Sequence, residues 1–196
     1  MSEMDVSTTA EQRARPIAPY VAGAVGVVVL FFLVILVLAN ANETTVAKSP
    51  LLGRPAPAVA SSTIDGPDFT LERRKGSWVL LNFFNSTCVP CIQEHPLLVQ
   101  FAAEQAAGDD PVELYTIVND DADDAVRAFF RDNGGDWPKV RDDDGAIAVA
   151  FGVSKVPESW IIDPDGFVRL RIIGALTDGF LQEQFDSLKR QYAGLP

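Results

Sequence analysis

Trp78-Val79-Leu80-Leu81-Asn82-Phe83-Phe84-Asn85-Ser86-Thr87-Cys88-Val89-Pro90-Cys91 decides the reading of this chain. Its first half is an apolar run of strand length, from Trp78 to Asn85. Its second half carries both cysteines of the sequence. They open a helical segment from Pro90 to about Ala107, in which Leu97, Leu98, Phe101 and Ala102 share one face. A strand that delivers Cys-x-x-Cys to the first turn of a helix is a redox arrangement. Exchange needs an attacking thiolate and a second sulfur near enough to release the mixed disulfide. Residues i and i+3 of a helical turn are neighbours. Cys88 falls at the helix N-terminus, where free N–H groups and the dipole favour an anion, so it is the expected nucleophile with a lowered pKa. Cys91, one turn in, is the expected resolving thiol. Pro90 suits the first turn, where its missing N–H would have been unpaired anyway. An inert vicinal disulfide is the bland alternative, and the strand-then-helix setting counts against it.

Glu94 lies three residues after Cys91 on the same helical face. A carboxylate there can take a proton from Cys91 or raise a sulfur pKa by like charge. A redox role is the expectation, with a solvated helix residue as the alternative. His95 points elsewhere and reads as a surface or packing residue. Pro96 sits inside the helix and should kink it.

Outward from this centre, Val59–Ser62 and Phe69–Leu71 flank Asp65-Gly66-Pro67 and predict a small hairpin. Val112–Val118 predicts a strand. Asp123–Asp132 predicts a helix with Val126, Phe129 and Phe130 inward, and Gly145–Phe151 a short helix. Glu158–Ile162 and Phe167–Ile173 predict paired strands around the turn Asp163-Pro164-Asp165-Gly166. Thr177 to about Gln191 predicts a closing helix, capped by Thr177, with Phe180, Leu181, Phe185 and Leu188 inward. The order is βαβα, then a ββ hairpin, then α: an α/β domain with a mixed sheet and helices on both faces.

The N-terminal part reads differently. No charge occurs from Tyr20 to Ala39, and 21–39 is a near-continuous apolar run. Such a stretch spans the ~30 Å hydrocarbon core as a helix. Arg13 and Arg15 precede it and Glu43 is the first charge after it, which predicts the N-terminus inside and the rest outside the cytoplasm. Ala39-Asn40-Ala41 resembles a signal-peptide cleavage site, but the apolar run exceeds the usual 7–15-residue signal core. The expected organisation is a cytoplasmic tail at 1–19, a transmembrane anchor at 20–39, a tether at 40–57 and one domain at 58–196. That domain works in an oxidising compartment, where a disulfide persists.

Composition removes other classes. A net charge of −11 argues against nucleic acid as a partner. A structural zinc site takes four ligands, and two Cys with one His fall short. Asp120-Asp121-Ala122-Asp123-Asp124 and Asp142-Asp143-Asp144-Gly145 lack the alternating positions and closing Glu of a calcium loop, and read as solvated faces. No cofactor is expected.

Three stretches together carry a family likeness: Leu51–Pro57 (Leu-Leu-Gly-Arg-Pro-Ala-Pro), Val79–Pro96, and Gly152–Gly166 with its Gly-Val-Ser-Lys-Val-Pro-Glu-Ser-Trp. Over about residues 51 to 192 the chain resembles the membrane-anchored thioredoxin-like proteins of the TlpA/ResA/DsbE (CcmG) type, with the best overlap in the cytochrome c maturation branch. The resemblance implies a thioredoxin fold with an N-terminal β-hairpin and a central insert. It implies a Cys88–Cys91 redox pair, Glu94 in the place of the family's helix acid, and a cis peptide before Pro157 facing the pair. X–Pro bonds are otherwise usually trans. It also implies a function: reducing disulfides in apocytochrome c or its carriers, with electrons from a membrane thiol donor. One departure is Thr87, where the family usually has a Trp that shapes the docking surface.

The leading reading is therefore a thiol:disulfide oxidoreductase acting as a reductant, either in cytochrome c biogenesis or on other extracytoplasmic clients. A thiol peroxidase would set its cysteine behind Pro-x-x-x-Thr-x-x-Cys, and here Leu81 and Asn85 stand at the Pro and Thr places. A copper-delivery protein would want Cys-x-x-x-Cys and a distal His, and no His follows His95. A redox-silent adaptor is the remaining class.

Overall fold

Strand β4 (Trp78–Phe84) is buried along its whole length. Its side chains alternate between two cores, as the period of a strand requires. Trp78, Leu80 and Phe84 enter one cluster. Val79, Leu81 and Phe83 enter the other. A strand buried on both faces lies inside a layered α/β domain.

The computed structural model describes residues 18–38 and 44–194. The chain divides into two compact units, 1–41 and 42–196. In the second unit, β4 leads through helix α2 (Val89–Ala106) to β5 (Val112–Asn119), and β5 through α3 (Asp123–Asn133) to β6 (Lys139–Asp142). These three strands are parallel neighbours, joined by helical crossovers as parallel pairs require. On the other side of β4 lie β7 (Glu158–Ile162), β8 (Val168–Ile173) and β1 (Thr45–Val46), each antiparallel to its neighbour. The order is β1-β8-β7-β4-β5-β6.

Leu98 and Phe101 of α2, Val126 and Phe130 of α3, and Leu181 and Phe185 of α5 (Phe180–Ala193) pack on one face. Ile147 and Phe151 of α4 (Ala146–Phe151) pack on the other with Trp160 and Ile162. The expected hairpin is β2 (Ala60–Ser61) with β3 (Phe69–Thr70). The loop after β2 runs along β6, through Ile64 N–H to Lys139 O and Arg141 N–H to Ser62 O, and covers that sheet edge.

Several expectations need correction. The described part of the tether, 44–57, belongs to the sheet: β1 pairs with β8, and Gly53 and Arg54 exchange hydrogen bonds with Val168. Strand β6 was not expected. It is four residues long with two inward side chains, Val140 and Asp142, too short to show a period. The cap of α5 is Gly179, in the left-handed region at φ +70°, and not Thr177. The turn Thr177–Phe180 closes first, through Thr177 O, and leaves the helix to begin two residues later. Asp142 is buried, not a solvated acid: its carboxylate accepts the N–H groups of Ile147 and Ala148 and caps α4. Asp123 is bound to Arg141 and Arg127.

In the first unit, helix α1 spans Ala18–Leu38. Its described side chains, at 22–35, are all exposed. Among the described residues no helix is long and apolar enough to cross a membrane. The described side chains stop short of the roughly 20 residues a crossing takes. The tail expected at 1–19 with Arg13 and Arg15, the site Ala39-Asn40-Ala41 and Glu43 lie outside the described residues, save 18 and 19 at the start of α1.

Candidate active site around Cys88 and Cys91

The loop that carries the motif is fixed before the helix starts. Asn85 Oδ1 accepts from the Thr87 N–H at 2.9 Å and the Thr87 hydroxyl at 2.6 Å. Asn85 Nδ2 donates to the carbonyls of Asn119 and Asp120 at 3.1 and 2.8 Å. The Ser86 N–H donates to Asp121 Oδ2. The motif loop is thus tied to the β5–α3 loop, where Asp120 adopts φ +48°, a left-handed value that Asp tolerates better than most residues. Thr87 is exposed.

Cys88 is the N-cap of α2, in extended conformation, and Pro90 stands in the first turn. The cap side chain is the sulfur itself: Cys88 Sγ accepts from the Cys91 N–H at 3.2 Å. Cys88 and Cys91 form a disulfide, with Cα atoms 5.2 Å apart. Cys88 is half-buried and Cys91 has no exposed surface. Cys88 keeps part of its surface open to a partner and Cys91 keeps none.

Glu94 is buried, 1% exposed. Its Oε1 accepts from Asn82 Nδ2 at 2.8 Å and its Oε2 from the Leu176 N–H at 2.8 Å. Burial pushes its pKa up to about 7; the two hydrogen bonds pull the other way. A carboxyl poised there can hold or release a proton at neutral pH. His95 is a packing residue, as expected. Its ring is ringed by Phe84, Phe129, Phe130 and Trp137, and Nε2 meets Gly134 O at 2.9 Å. Burial lowers its pKa.

The Val156–Pro157 bond is cis. Pro157 precedes β7, whose Glu158 pairs with Phe83 near the end of β4, so the sheet brings Pro157 and the motif loop to the same end. Pro157 O accepts from the Gly174 N–H.

Four partners were not foreseen. Asn82 and Ser159 sit opposite each other in the β4–β7 register, with Asn82 Nδ2 donating to Ser159 Oγ at 3.1 Å. The signal for Asn82 was a single polar residue in an apolar strand. Glu158, next to Pro157, is bound by both Arg171 Nε at 2.9 Å and Arg171 Nη2 at 3.1 Å, and accepts from Trp160 Nε1. Arg171 also donates to Gly152 O and stacks on Trp160. This pair ties the residue after Pro157 to the end of α4.

Residues 52–171 match the AhpC/TSA family. The chain belongs to that family. It is 31% identical to the thiol:disulfide interchange protein DsbE of Yersinia pestis over 170 residues, 85% of this chain and 88% of that protein. It is also 31% identical to the thiol-disulfide oxidoreductase ResA of Bacillus thuringiensis, covering 67% of this chain and 78% of that one. Among solved structures, the thiol:disulfide interchange protein DsbE from Chlorobium tepidum superimposes with a TM-score of 0.64 at 25% identity, over 69% of this chain and 96% of that one. The fold is thioredoxin-like, and the chain is a thiol:disulfide oxidoreductase.

Proposed function

We propose that the protein is a reductant of disulfides, held to the outer face of the cell membrane by its apolar segment at 20–39, and that its clients belong to cytochrome c biogenesis. The observation that carries the chemistry is the Cys88–Cys91 pair at the start of α2, one sulfur open and capped by an N–H, the other buried. The reduced Cys88 thiolate attacks a client disulfide, forms a mixed disulfide and releases one client thiolate. Cys91 passes its proton to the Glu94 carboxylate and attacks Cys88 Sγ. That closes the Cys88–Cys91 disulfide and frees the second client thiol, so two electrons pass to the client. A membrane dithiol donor returns them. Pro157, at the same end of the sheet, borders the surface on which the client's chain lies.

The anchor and the orientation rest on the apolar run of 20–39 and on Arg13 and Arg15 before it. The client class rests on the likeness to the cytochrome c maturation branch. Replacing Cys91→Ala stalls the reaction at the mixed disulfide, so the species attached to Cys88 in cells identifies the client. Apocytochrome c or one of its thiol carriers is expected; capture only of unrelated extracytoplasmic proteins would move the function to general disulfide reduction. Carbonate-washed membranes should retain the protein, and its release into the soluble fraction would remove the anchor.

A further inference from the structure

Asn82 is the one polar residue of β4, fully buried in the sheet and facing α2. Its Nδ2 donates twice, to Glu94 Oε1 and to Ser159 Oγ. Its Oδ1 is buried without a hydrogen-bond partner. An orphaned buried oxygen on the side chain that touches the site's carboxyl calls for a reason, because such atoms are costly and rare.

The reason lies in what Glu94 can do with a proton. Glu94 Oε2 faces the Leu176 N–H, which cannot accept. A proton on Glu94 therefore sits on Oε1, toward Asn82. There it would meet the Nδ2 amino group, donor against donor. Turning the amide over lets Asn82 Oδ1 accept from the Glu94 O–H and from the Ser159 hydroxyl, and moves Nδ2 to the place where Oδ1 has no partner. The two orientations match the two states of the carboxyl, and the orphaned oxygen is the acceptor kept for the protonated one.

We propose that Asn82, backed by Ser159, is a positioning residue that serves both protonation states of Glu94, donating to the carboxylate and turning over to accept from the acid. The proposal rests on Glu94 as the proton acceptor for Cys91. The groups that bond Glu94 are Asn82 from β4, with Ser159 behind it on β7, and the Leu176 N–H from the β8–α5 connection; its titratable neighbours in the sequence of α2 are Cys91 and His95. Among the described residues, burial and the Leu176 and Asn82 bonds account for its shift, with no charged neighbour.

The test follows the carboxylic-acid C=O band of Glu94 by infrared spectroscopy against pH in the full-length, disulfide-bonded protein. The band is identified by its loss in Glu94→Gln. No thiol titrates in that state, so the readout stands apart from the redox reading, which turnover assays test separately. In Asn82→Ala the carboxylate loses a charge-assisted donor and the acid a weaker, neutral acceptor; the midpoint should rise by less than about one pH unit, and the C=O band should move because the acid O–H has lost Asn82 Oδ1. Ser159→Ala should raise it by less, and Ser159→Thr, which keeps the hydroxyl, should restore it. An unchanged midpoint or an unmoved C=O band in Asn82→Ala overturns the proposal. If Asn82→Ala does not fold, equal midpoints in Ser159→Ala and Ser159→Thr overturn it.

Discussion

Cys88 Sγ accepts the backbone N–H of Cys91 at 3.2 Å, so a first-turn donor of α2 points at the outer sulfur of the pair. The same N–H stabilises a thiolate there when the disulfide is reduced. Cys91 has no exposed surface. In reduced protein near neutral pH, iodoacetamide should alkylate Cys88 at least roughly tenfold faster than Cys91. Peptide mapping reads the ratio, and faster labelling of Cys91 would reverse the two roles.

Glu94 gives the fold a pH dependence whose sign is opposite to that of an ordinary paired carboxylate. Its pKa is raised from 4.5 to about 7, so the folded state binds the proton more tightly than the unfolded chain. Its favourable contribution is full below about pH 4.5, declines as pH rises through that window, and is lost above about 7. The whole difference is worth roughly 3 kcal/mol. Glu94→Gln mimics the protonated form, accepting from Leu176 while donating to a reversed Asn82. Denaturant unfolding of the oxidised protein should show Glu94→Gln gaining on the wild type between pH 5 and pH 8. A constant difference across that range would place the carboxyl's titration elsewhere.

The same variant separates the two chemical steps. In the proposed mechanism, attack by Cys88 on a client disulfide does not need Glu94, and release of the mixed disulfide by Cys91 does. Glu94→Gln should slow release by roughly tenfold or more at pH 7 and leave the first attack nearly unchanged. Because the carboxyl and the thiols interact, the pH profile reports the group as a whole. Single-turnover quenching resolves the steps, and equal rates for release in both proteins would make Glu94 a packing residue.

Arg171 supports Glu158, whose side chain has no exposed surface. Removing one member of a buried, bidentate pair leaves an uncompensated charge. Arg171→Leu should cost about 3 kcal/mol in urea unfolding, and adding Glu158→Gln should recover most of it. A loss below about 0.5 kcal/mol would class the pair with surface ion pairs.

The redox centre was legible because its logic is local. Cys88, Cys91 and Glu94 share one face of a helix, and helical spacing is written in the order of residues. Strand β4 was legible for the same reason, as a run with no break. Asn82 could be seen as an oddity in that run, but its partner Ser159 comes from 77 residues further on, and Leu176, which donates to Glu94, from 82 residues beyond that acid. No sequence period carries that register. Asp142 reads as one acid in a row of three, and only the fold turns its carboxylate onto the start of α4. Strand β1 and the Gly53–Val168 contact sit in a stretch of Ser, Pro and Gly whose composition suggests a linker. Pairing with the β8 edge, a tertiary effect, overrides it.

The central claim is that the Cys88–Cys91 pair gives electrons to disulfides and does not install them. The direct measurement is its reduction potential, by equilibration with glutathione and quantitation of the dithiol fraction. The account predicts a value toward the reducing end of this fold, roughly −200 to −270 mV. A value near −120 mV, that of a strong oxidant, would contradict it.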